Sequence, residues 1–309
     1  MRFRVKGSFC HRSFNSRCVL IMTAIVLALM SATCGAETLP DFQLVGENQS
    51  GLVFSPDKNS AYWVAWNGFW GSKATSRRVI YESHRQGDTW TTPTPSPFTA
   101  NYSDDDPFVS PDGRWLYFVS DRPADESDTS TDGDIWRYGL DEQHRLERLK
   151  INSKAAEYSP VITLSGTLYF ASARKGGAGQ GDIYRALPTA EGFLEVDALG
   201  PSTNSSTGEW NVWVAPDESE LIFEASSRST NISESGDLYY SWNTPGGWTA
   251  AVPISTLNSS GSDLLPRLHP DGQTLYYTTA PIGKHATISS TNWPQLRSSL
   301  RTNHASNSN

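Results

Sequence analysis

Short apolar runs, each closed by a polar turn, recur along this chain at a nearly constant spacing. The clearest run follows a small-Pro-Asp turn: FSPDKNSAYWVAW from Phe54, VSPDGRWLYFVSDR from Val109, ITLSGTLYFASAR from Ile162, VAPDESELIFEASSR from Val214 and LHPDGQTLYYTT from Leu268. With Ser55, Ser110, Thr163, Ala215 and His269 taken as equivalent, the steps are 55, 53, 52 and 54 residues. A period that steady marks an array of like supersecondary units.

Each unit reads as four short strands. An opening run such as DDPFVS or EYSPVI leads into the Pro-Asp turn, where the fixed φ of proline and the free φ of glycine suit a tight reversal. The second run (WLYFVS, TLYFAS, LIFEAS, TLYYTT) mixes aromatic and β-branched residues with small ones, as a strand covered on both faces does. The third begins with Asp at Asp134, Asp182 and Asp237, with a weaker copy at Val79. The fourth is irregular and carries Trp then Pro, at Trp90 and Trp248. Four-stranded units repeated around a ring are the blades of a β-propeller, so the predicted fold is all-β: five blades of about 53 residues, with six shorter blades as the alternative. Phe42–Val45 precedes the first inner strand where other units place an outer strand. This N-terminal strand is therefore expected to complete the last blade and close the ring, although Trp293 and Pro294 give the last unit an outer run of its own.

The SPDGRWLYFVSDR and GDIYRA phrases resemble the WD-like propeller repeats of the TolB type, over about residues 47 to 293. The resemblance implies the fold; for function it implies only a choice among scaffolds, binding modules and polysaccharide-degrading enzymes. No separate α/β domain precedes the first repeat, so the resemblance does not extend to TolB itself.

The ends read differently from the repeats. Arg2, Arg4, Lys6, Arg12 and Arg17 precede an uncharged run from Cys18 to Met30, followed by small residues to Ala36. That is the form of a secretory signal, predicting an exported, periplasmic or secreted chain cleaved after Ala36. Cys34 offers the alternative of a lipoprotein anchor, against which Ser31, Ala32 and Thr33 fit the acylation box poorly. All three cysteines, Cys10, Cys18 and Cys34, lie in this leader, so packing and ring closure must stabilise the exported domain without disulfides. The domain is expected to span residues 37–296 as a monomer with no membrane span, and the tail from Arg297 to fray. The full chain has 25 basic and 33 acidic residues. Without the five basic residues of the leader the balance is 20 against 33, a net of −13. Such a surface excludes nucleic acid and favours cations, basic partners or neutral ligands, among them a protein or glycan of the cell envelope.

Candidate chemistry is sparse. Six residues before each equivalent position stand Asp104, Glu157, Glu209 and Asp263, with Gln49 in the first unit. Facing one another across the channel, four carboxylates would repel unless a hard cation such as calcium lay between them; alternatively each caps its own strand. Arg122 with Asp134, Arg174 with Asp182 and Arg228 with Asp237 read as structural pairs across a hairpin mouth. Trp66, Phe69 and Trp70 form either a stacking platform for a ligand or a cover over the gap between first and last blades. No HExxH, GxSxG, P-loop or cysteine nucleophile occurs in the exported chain, and its histidines are scattered. The expectation is therefore a non-catalytic exported propeller that binds a protein, peptide or cell-envelope glycan at one face, with no catalytic residues and no cofactor beyond possible calcium. The alternative is a carbohydrate-active hydrolase or lyase using channel-mouth carboxylates.

Overall fold

The computed structural model describes residues 43–72, 76–125, 127, 132–190, 192–233 and 235–307. The leader, its three cysteines and Phe42 lie outside the described residues. Five antiparallel sheets form a five-bladed propeller, each blade built from one sequence unit. Blade 1 comprises β1 (Asn48–Phe54), β2 (Ser60–Trp66) and β3 (Val79–Gln86), with β4 (Thr89–Trp90) and β5 (Thr94–Pro95) both paired to β3. Blade 2 is β6 (Asp104–Val109), β7 (Trp115–Ser120), β8 (Asp134–Gly139) and β9 (Leu146–Arg148). Blade 3 is β10 (Glu157–Ile162), β11 (Leu168–Ser172), β12 (Asp182–Thr189) and β13 (Gly192–Ala198). Blade 4 is β14 (Gly208–Val214), β15 (Glu220–Ser226) and β16 (Asp237–Thr244), with β17 (Gly247–Trp248) and β18 (Val252–Pro253) both paired to β16. Blade 5 has three strands among the described residues, β19 (Ser262–Leu268), β20 (Thr274–Ala280) and β21 (Thr287–Asn292), and leads into α1 (Trp293–Asn307).

The Pro-Asp turns work as their residue types require. Ser55 and Ser110 each donate a hydroxyl to the Asp two residues on, at 2.6 Å, and that Asp accepts the amide of Asn59 or Arg114 at 3.1 Å. In the last unit His269 Nδ1 lies 2.8 Å from Asp271 and stands in for the serine. The second strands are sealed between neighbours: Phe118, Phe170 and Phe223 are fully buried, and a continuous core runs through blades 3 and 4 to Trp293.

Closure uses the N-terminal strand, but not the segment expected. Residues 43–45 form no strand; Leu44 and Val45 pack against the apolar cluster that joins Phe54 and Trp63 of the first blade to Tyr276 and Ile288 of the last. The first and last blades are joined by β1 and the loop after β2. Gln49 N donates to Ala286 O at 3.0 Å and Ala286 N to Asn48 Oδ1 at 2.7 Å, while Trp70 N donates to Lys284 O at 2.9 Å and Gly283 N to Trp70 O at 3.1 Å.

The C-terminal end also departs from expectation. Trp293 and Pro294 do not open an outer strand, and the described tail from Arg297 to Asn307 is helical rather than frayed. Asn292 caps the helix by accepting the amide of Gln295 at 3.0 Å, and proline is tolerated in the first turn. Trp293, Arg297 and Arg301 recur every fourth residue and so share one face. All three reach Glu220 of β15: Trp293 Nε1 at 3.1 Å, Arg297 Nη1 at 3.3 Å and Arg301 Nη2 at 2.7 Å. Tertiary anchoring, not apolar periodicity alone, holds this helix. No helix of the described residues is long and apolar enough to cross a membrane.

Candidate functional site

The two repeated charge patterns of the sequence prove to be halves of one device. Arg122 pairs not with Asp134 but with Asp104, at 2.6 Å; Arg174 pairs with Glu157 at 2.8 Å; Arg228 pairs with Glu209 at 2.7 Å. Antiparallel register explains the switch. Asp104 lies opposite Ser120 and Glu157 opposite Ser172, and the arginine two residues past that serine folds back over it. Arg122 and Arg174 each also donate Nε to the serine, at 2.8 and 3.2 Å. Every guanidinium then lies against an aromatic from the second strand and one from the third: Phe118 and Trp136, Phe170 and Tyr184, Phe223 and Tyr239. The third-strand aspartates have other work. Asp134 takes Arg148 at 2.6 Å, Asp182 accepts the amides of Ala178 and Gly179, and Asp237 those of Ile232 and Ser233.

Asp104, Glu157, Glu209 and Asp263 are all fully buried, each held within its own blade. Glu157 accepts from Ser153 N, Ser153 Oγ and Ser172 Oγ as well as Arg174; Glu209 accepts from Ser205 N and Oγ; Asp263 accepts from Ser259 N and Thr279 Oγ1. Burial raises Asp104 and Asp263 above the usual aspartate range. No three His, Cys, Asp or Glu side chains among the described residues converge at metal-ligand range, so the structure does not bring these four together. A sequence signal for the arrangement existed. The dipeptide Asn-Ser at 152, 204 and 258 precedes Glu157, Glu209 and Asp263, its asparagine bridging both backbone groups of Ile135, Ile183 or Leu238 and its serine capping the acid.

Residues two positions later do meet around the axis. Gly51, Asp106, Ser159, Asn211 and Leu265 each have a left-handed backbone, with φ between 48° and 63°, at a bulge in the inner strand. An L-residue held there costs roughly 1 kcal/mol, and the chain accepts it at four of the five positions, glycine taking the fifth. Ser159 donates its amide to Asp106 Oδ2 at 2.8 Å; its hydroxyl lies 3.0 Å from both Asp106 Oδ2 and Asn211 Oδ1. Asn211 in turn donates to Glu224 Oε2. A polar chain from Asp106 to Glu224 thus crosses blades 2, 3 and 4, and Gly51 sits close to Pro107 and Leu265 on the other side.

Above this floor opens a cavity of about 740 Å³, lined by Trp70, Arg78, Asp105, Tyr158 and Trp210 as well as Asp106, Asn211 and Glu224. Of the aromatic trio expected at the rim, Trp66 is buried beneath the cavity wall, Trp70 lines it, and Phe69 stands half exposed beside His285, with ring centroids 4.9 Å apart. The same loop carries the closure hydrogen bonds and so covers the gap between the first and last blades. Arg78 pairs with Asp105 and lies over Trp66 at 4.9 Å and Trp70 at 5.6 Å. Tyr158 and Trp210 meet edge to face at 5.6 Å. Asp105 and Asp106, which look like solvated acids in the sequence, are a paired wall and a buried floor; the left-handed bulge that buries Asp106 leaves no period-two trace to read. Burial pushes Glu224 up to about 8 despite the hydrogen bond from Asn211, and the charges of Asp106, Asp263 and Asp237 add to the rise. Asp106 is raised by burial and by Asp105, against the pull of Arg267.

No protein-family model and no curated sequence matches this chain. Among solved structures it is similar in fold to TolB from Acinetobacter baumannii, with a TM-score of 0.51 and 19% identity over 80% of this chain and 52% of that one. This chain thus spans about half the length of that TolB. A putative TolB from Agrobacterium tumefaciens gives 0.49 and 13% over 80% of this chain and 83% of that one, and a puromycin-hydrolysing peptidase from Mycobacterium tuberculosis gives 0.45 and 14% over 78% and 36%. The structural neighbours include both TolB-type propellers and peptidases. At these identities the likeness speaks for the fold alone.

Proposed function

We propose that this chain is an exported, non-catalytic propeller that binds a protein or peptide segment, or a cell-envelope glycan, at the ring face where the Trp70–Trp210 cavity opens. The observation that carries this reading is the cavity itself. It combines three aromatic rings with polar groups already held in place by Arg78–Asp105, Ser159–Asp106 and Asn211–Glu224. A concave, largely preformed site with a few fixed polar groups is what binding needs. Export rests on the leader read in the sequence. Screening the purified protein against glycan and peptide arrays, with Trp210→Ala as control, tests the reading. Ligands whose capture depends on Trp210 support it; capture that Trp210→Ala leaves unchanged would move the binding surface elsewhere.

One observation favours the second reading, a glycan hydrolase or lyase. Glu224, raised to about 8, would be a protonated acid at neutral pH beside the acids Asp105 and Asp106. Turnover of an array-selected glycan, abolished by Glu224→Gln, would establish it.

A further inference from the structure

We infer that the cavity seats one basic side chain of a peptide partner, a lysine ammonium or an arginine guanidinium, against the Trp210–Tyr158 pair with its charge toward Asp106 and Glu224. This rests on the binding reading above and narrows its ligand class.

Arg78 shows within the same cavity what such a cradle holds. Its guanidinium is paired with Asp105 and faces the rings of Trp66 and Trp70. Across the cavity the same ingredients recur with no cation hydrogen-bonded to the acids among the described residues: the Tyr158–Trp210 pair, with Asp106 and Glu224 beside it. Both acids are more than nine-tenths buried. Asp106 receives its hydrogen bonds on Oδ2 and Glu224 on Oε2; Asp106 Oδ1 and Glu224 Oε1 accept none from the described residues. Neither oxygen is fully enclosed, and both residues line the cavity, so a ligand's cationic donor can reach them and add a charge-assisted hydrogen bond.

The local charges leave room for one cation. Arg78 pairs with Asp105 and acts on Asp106 only at longer range. Buried Arg267 acts on Asp106 at longer range, since its Nη1 donates to Val212 O and Pro266 O, and Nε and Nη2 hydrogen-bond to neither acid. Glu224 has no cation paired with it; burial first, and then the charges of Asp106, Asp263 and Asp237, keep its proton on to about pH 8. A bound ammonium or guanidinium would let it ionise, so binding at neutral pH should release a proton. The aromatic walls suit the alkyl stem and face of a basic side chain, through cation–π contact, better than a hydrated metal ion.

Isothermal titration of the full chain at pH 7 with the capped tripeptides Gly-Lys-Gly, Gly-Arg-Gly and Gly-citrulline-Gly, and with a neutral oligosaccharide, tests this. The lysine or arginine peptide should bind, the isosteric but neutral citrulline peptide at least tenfold more weakly, and the apparent heat should depend on the buffer's ionisation enthalpy. Glu224→Gln, which keeps an acceptor for Asn211 and so the fold, should weaken the cationic peptides about tenfold and abolish the proton release. Equal binding of arginine and citrulline peptides, or cationic binding indifferent to Glu224→Gln, overturns the inference. Capture of the oligosaccharide alone, dependent on Trp210, would sink the basic side chain but leave the binding reading standing. If no probe responds to Trp210→Ala, both fail.

Discussion

Replacing Glu224 by Gln should stabilise the protein, and by an amount that grows with pH. Gln has nearly the same shape and keeps an oxygen for Asn211 Nδ2, so the change removes little but the charge. Below about pH 4.5, the ordinary value for glutamate, the side chain is protonated whether folded or not, and wild type and variant should coincide. Between 4.5 and about 8 the folded protein retains a proton that the unfolded chain has released, so wild-type stability falls as pH rises. Above 8 the whole penalty is present; at 1.36 kcal/mol per pKa unit it has a ceiling of about 5 kcal/mol. For a domain of this size that is roughly 10–20 °C in Tm. Urea denaturation of both proteins at pH 4.5, 6.5 and 9 measures it. A difference that stays flat with pH, or a wild type that gains on the variant as pH rises, would show that Glu224 is not held protonated by burial and would remove the electrostatic argument for the cavity.

Three further outcomes follow from the same geometry. A double-mutant cycle between Glu157→Gln and Arg174→Met should show strong coupling, with Arg174→Met alone costing about 3 kcal/mol, whereas Asp182→Ala and Arg174→Met should add independently; coupling of Asp182 instead of Glu157 would restore the hairpin-mouth pairing. Glu220→Ala should free α1 from blade 4 at a cost of about 2–3 kcal/mol, seen as lost hydrogen-exchange protection over residues 293–307; unchanged protection would mean that the helix stands without Glu220. Thermal melts in EDTA, calcium and magnesium should coincide, because Asp104, Glu157, Glu209 and Asp263 already have partners; a calcium-induced rise that disappears in the Glu157→Gln, Glu209→Gln double variant would return the cation to them.

The architecture was legible because it is written in short-range chemistry. Ser-Pro-Asp turns, aromatic second strands and the period near fifty depend on residues within a few positions of one another, and five copies of one local answer leave little freedom for the whole. The Asn-Ser signal was equally local and readable. Partner choice was not. Arg122 has Asp134 and Asp104 at comparable separations along the chain, and antiparallel register alone places Asp104 under its guanidinium. The tail was misread for a similar reason: α1 is anchored to Glu220, more than seventy residues earlier, and its sequence carries only the cap at Asn292 and a fourfold spacing of Trp293, Arg297 and Arg301.

By itself, then, the sequence determined five like blades, their turns and the burial of their second strands, since hydrophobic period and turn geometry act over a handful of bonds. Only the tertiary structure decided what lies at the centre. The left-handed bulge residues Gly51, Asp106, Ser159, Asn211 and Leu265 are more than fifty residues apart and come together only when the ring closes. The same closure withdraws Glu224 from water and makes an ordinary glutamate an acid near pH 8. Desolvation belongs to a place in the fold, and no stretch of sequence carries it.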